Sequence, residues 1–92
     1  MEIEELISAL EETITLLRKS QPTGWAHMSV EEILQKLESE VAKVRNEQTY
    51  DSNLLSILFA PTGVIQETSI ANAWENELLQ IFQIIDRFTL SK

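Results

Sequence analysis

An all-α fold is predicted for this chain: a small helical bundle of three long helices and one short helix, with a long ordered connection before the last. Three observations predict it. Apolar residues recur in steps of 4, 3, 4, 3 near both ends of the chain, the rhythm of a single stripe on a helix. All the prolines and glycines fall in two breaks, Pro22 with Gly24 and Pro61 with Gly63. Ninety-two residues, 43% of them hydrophobic and 24% charged, suffice for one modest core, so residues 1–92 read as a single helical domain.

The first helix is expected over residues 2–20, with Ile3, Ile7, Leu10, Ile14 and Leu17 on its seam and Leu6 widening it. Glutamates crowd its start and Arg18 and Lys19 close it, the order that suits a helix macrodipole. A tight loop carrying Trp25, His27 and Met28 follows. Ser29 and Glu32 then form a capping box, with Met28 stapled to Ile33. The second helix, 30–48, turns Val30, Ile33, Leu34, Leu37, Val41 and Val44 inward, while pairs such as Lys36 with Glu40 lace its outer face. Asp51 or Ser52 caps a short third helix, 53–59, whose lack of a polar face predicts burial.

Residues 61–71 form the connection, turning at APTG and then extended over 64–71, with room for one brief strand and with Val64, Ile65 and Ile70 pinned to the core. Asn72 with Glu75 caps the last helix, 72–90, whose stripe is Trp74, Leu78, Ile81, Ile85 and Phe88. Ile84, Phe82 and Leu79 carry its apolar arc past half the circumference. One neighbour cannot cover such an arc, so this helix belongs at the centre of the bundle or at a contact with a second molecule.

Charge narrows the function. With 15 acidic and 7 basic residues the net charge is −8, so the chain repels nucleic acid and anionic membranes and favours a basic partner protein. No apolar run is long enough to span a bilayer, and the acidic start is unlike a signal peptide, so a cytoplasmic location is expected. The absence of cysteine excludes disulfides and thiolate chemistry.

Material for catalysis is thin. Nucleophilic or acid–base chemistry needs positioned partners, and this chain has one histidine, His27, and no phosphate-cradling glycine loop. No glutamate stands three residues before His27, as a helical dimetal site would require. No catalytic residue, cofactor or metal is therefore assigned. The positive candidates are surface acids and tryptophans. Glu4 with Glu11, and Glu5 with Glu12, make two rows roughly 10 Å long on the first helix at about 1.5 Å per residue. Such rows engage lysines and arginines and speed association, or they solvate a helix start. Trp25 and Trp74 are binding anchors if exposed and core residues if buried.

The stretch LFAPTGVIQETSIANAWENELL resembles a pattern in uncharacterised small bacterial proteins, matched here by Leu58, Phe59, Ala60, Pro61, Thr62, Gly63, Gln66, Glu67, Ser69, Asn72 and Trp74. Ala73 stands where that pattern has glycine. The resemblance covers about a quarter of the chain and carries no catalytic motif. In size, acidity and helical make-up the chain is also similar to immunity proteins of bacterial toxin systems, which implies a non-enzymatic inhibitor that blocks a toxin by binding it. The reading is thus a protein-binding module whose acidic surface, at Glu4, Glu5, Glu11 and Glu12, covers a basic partner. The alternative is a homo-oligomeric adaptor, a homodimer paired through the last helix.

Overall fold

A computed structural model describes residues 2–20, 30–59 and 64–89 of the protein, with Glu2 and Val64 placed by their backbone alone. Within them five helices follow in order: α1 (Glu2–Arg18), α2 (Val30–Glu47), α3 (Ser52–Leu58), α4 (Val64–Ala71) and α5 (Glu75–Thr89). The predicted cap and staple at Ser29 and Met28, and the loop with Trp25 and His27, lie outside the described residues.

The all-helical expectation holds, but the connection differs. Residues 64–71 were expected extended, and they form α4. The reason is chemical camouflage: its inward face carries Ile65 together with Thr68 and Ser69, two buried hydroxyl residues that weaken the apolar rhythm. The Ser69 hydroxyl donates to the Gln66 carbonyl at 2.7 Å, so its polarity is satisfied within the helix itself. Ile70, expected on the core, stands on the far side of α4 and is 59% exposed.

The junction after α4 is also a correction. Asn72 does not open α5; its backbone N–H and its side-chain amide both donate to the Thr68 carbonyl, at 3.1 and 3.0 Å, closing α4. The Trp74 N–H then reaches back to the Ser69 carbonyl at 2.9 Å and the Ala73 N–H to that of Ile70 at 3.4 Å, a Schellman closure. That closure needs a left-handed residue, and Ala73 supplies it with φ 62°. A methyl group is strained there, so Ala73→Gly should raise stability by about 1 kcal/mol. A urea midpoint unchanged or lowered in this variant would contradict the strain.

Packing centres on α5, which touches α1, α3 and α4, while α1 also packs along α2. Trp74, Leu78, Ile81 and Ile85 are buried along its predicted stripe, and Phe88 is partly covered. The helix runs antiparallel to α1: Arg87 near its end pairs with Glu5 near the start of α1, while Trp74 before its first turn bonds Ser20 just past the end of α1. One apolar cluster draws on all five helices.

Two faces differ in part from expectation. On α1 the predicted Leu6, Leu10, Ile14 and Leu17 are buried, but Ala9 and Thr13 join them and Ile3 and Ile7 are only partly covered, because α1 is gripped between α2 and α5. Thr13 is tolerated there because its hydroxyl donates to the Ala9 carbonyl at 2.8 Å. On α3 Leu55, Leu58 and Phe59 are buried, but Ile57 is 64% exposed, since a helix lying on α5 has only one face to cover.

Candidate functional site

The acids of α1 do not form one open face. Glu5 accepts from Arg87 of α5, and Glu11 accepts from Arg45 of α2. One row therefore borders α5 and the other α2, and each sends an acid to strap α1 to a neighbour. Such exposed pairs contribute about 0–1 kcal/mol each. Glu4 and Glu12 are exposed on the same helix. Trp74 is 5% exposed, and its indole N–H donates to the Ser20 hydroxyl at 2.8 Å. That placement makes it a core residue of the isolated chain. Trp25 lies outside the described residues.

Glu40 also departs from expectation. It was assigned to the outer face of α2, yet it is 1% exposed, because 33, 37, 40 and 44 form the buried line of that helix. Its Oε1 accepts the Asp51 N–H at 2.7 Å and its Oε2 pairs with the Lys43 ammonium at 2.8 Å. Asp51 in turn caps α3 by accepting the Leu54 N–H at 3.1 Å. The two carboxylates thus divide a capping box between them, with Glu40 reaching across from α2. The hydrogen bond and the charge of Glu40 raise the Lys43 pKa above its ordinary 10.5. A raised lysine stabilises the fold below that ordinary value, and the contribution disappears as pH climbs through the raised one.

Two surface grooves among the described residues bear on function. One, of about 610 Å³, runs between α1 and α2 over Ile14 and Val41, and is bracketed by the pairs Arg45–Glu11 and Arg18–Glu38. Its charges cancel. The other, of about 210 Å³, lies between α4 and α5 and is bordered by Gln66, Ile70, Glu75, Leu79 and Phe82. Leu79 there is 58% exposed and Ile70 nearly the same, so an apolar rim faces water. Phe82 leans edge-on against Phe59, ring centroids 6.2 Å apart, which fixes one end of the groove.

Leu79 and Phe82 were legible as the outer part of the last helix's arc. Ile70 was not, because its helix was read as extended; turning residues 64–71 by about 100° each sets Ile70 opposite the Ile65 side. Among the described residues no group of three or more His, Cys, Asp or Glu is arranged to hold a metal ion, and no helix is long and apolar enough to cross a membrane. Compared with protein-family models, curated proteins and solved structures, the chain finds no match.

Proposed function

We propose that this protein is a non-enzymatic binding module that covers a basic surface of a partner protein, in the manner of an inhibitor or immunity protein. The observation that carries the reading is the distribution of charge. Among the described residues Arg18, Lys43, Arg45 and Arg87 are tied to carboxylates within the fold, and the chain as a whole carries 15 acids against 7 bases. The exterior that remains is strongly negative, and such a surface speeds association with a cationic protein and rejects anionic ones.

Affinity capture from the native host tests this. The expected partner is a basic protein released as salt rises from about 0.1 to 1 M, which shortens the screening length from about 10 to 3 Å. Capture of acidic proteins alone, or a complex indifferent to salt, would reject the reading.

Self-association through α5 is the second reading, favoured by the exposure of Leu79 beside Ile70. Sedimentation velocity decides it, since a strict monomer at high concentration removes the adaptor role.

A further inference from the structure

The acidic excess is not spread evenly. From Val64 to Asp86 the sequence holds Glu67, Glu75, Glu77 and Asp86 and no lysine, arginine or histidine. All four acids are exposed. This segment builds the α4/α5 groove, whereas the α1/α2 groove is crossed by two ion pairs of balanced charge. Apolar rim and unbalanced acid therefore coincide at one place. Glu75 lines the groove itself, and Glu67 lies three residues before Ile70, hence on the same side of α4.

Resting on the protein-binding reading above, we infer that the α4/α5 groove is the docking site for the apolar face of a cationic amphipathic helix of the partner. Its volume, about 210 Å³, falls short of the roughly 300–1,000 Å³ of small-molecule sites and suits anchoring side chains instead. Leu79 and Ile70 offer two exposed apolar contacts, and Phe82 gives the groove an aromatic wall. Lysines or arginines flanking the partner's apolar face would meet Glu67 and Glu75. A second copy of this chain is the poorer occupant, because a two-fold pairing sets each copy's acids against the same acids of the other. Helix-in-groove binding of this kind is read from side chains three and four residues apart.

The test uses three fluorescent peptides of about four helical turns: a leucine–lysine amphipathic helix, the same composition scrambled off one face, and a leucine–glutamate helix. The full chain should bind the first at least about tenfold more tightly than either control. Ile70→Ser with Leu79→Ser should lose about tenfold, and Glu67→Gln with Glu75→Gln should weaken binding and flatten its salt dependence. These residues are exposed, and an unchanged melting temperature shows that the variants fold. Equal binding of all three peptides, or full binding by the Ile70/Leu79 variant, overturns the groove. Loss confined to Glu4→Gln with Glu12→Gln also overturns it, while leaving the acidic-exterior reading intact. A wild-type dimer that Leu79→Ser dissolves puts a second copy in the groove and overturns it as well. A host extract that yields no basic partner sinks the binding-module reading itself, a result separable from every peptide outcome.

Discussion

Trp74→Ala is expected to cost about 3–5 kcal/mol, a large share of the roughly 5–14 kcal/mol that a chain of 92 residues commands. The indole is buried between the end of α1 and the start of α5, and its N–H is bonded to Ser20. Alanine leaves a cavity and strips that hydroxyl of its donor, while Ser20 still donates to the Leu16 carbonyl. Trp74→Phe keeps an aromatic ring and loses the bond, so its cost should be nearer 1–2 kcal/mol, as estimated from one neutral hydrogen bond and some lost volume. Urea unfolding measures both. An alanine variant within about 1 kcal/mol of the wild type would show that Trp74 is a surface anchor after all, because only a residue outside the core can be cut back so cheaply.

Glu40→Ala comes second, at about 2–4 kcal/mol. The loss combines a void at a buried position with an Asp51 N–H left without its acceptor. Glu40→Gln retains an oxygen for that amide and gives up the charge facing Lys43, so about 1 kcal/mol is expected. The ordering of the two variants is the diagnostic. If glutamine proves as damaging as alanine, the ion pair dominates; if both are neutral, α3 does not depend on the acceptor supplied by α2. Exchange of the Asp51 amide with deuterium, faster in Glu40→Ala than in Glu40→Gln, would place the effect at the α3 cap.

Long apolar rhythms were readable and polar interiors were not. α5 was legible because Trp74, Leu78, Ile81 and Ile85 leave no ambiguity of period, and Asp51 was legible as a cap because its side chain acts on its own turn. α4 was hidden by Thr68 and Ser69, whose hydroxyls read as loop although they are buried. Glu40 was hidden by its charge. It continues the series 33, 37, 40, 44, but Val41 beside it supplies an apolar residue at the same turn and satisfies the helical rhythm equally well. The α1 acids were found as surface residues, while their straps to Arg87 and Arg45 depend on how distant helices come together, which one-dimensional spacing does not encode. At the α4/α5 groove the missing bases of Val64 to Asp86 were open to view, and the groove itself waited on knowing that α4 is a helix.

The bond from Trp74 to Ser20 joins residues 54 apart, and that from Arg87 to Glu5 joins residues 82 apart. A ribosome making this chain therefore delivers α1 long before anything exists to cover its α5 side. Throughout that interval leucines stand bare, and neighbouring nascent chains could glue together through them. Mutual repulsion among the early glutamates keeps such chains apart, so the protein's negative charge is at work before there is a fold to carry it.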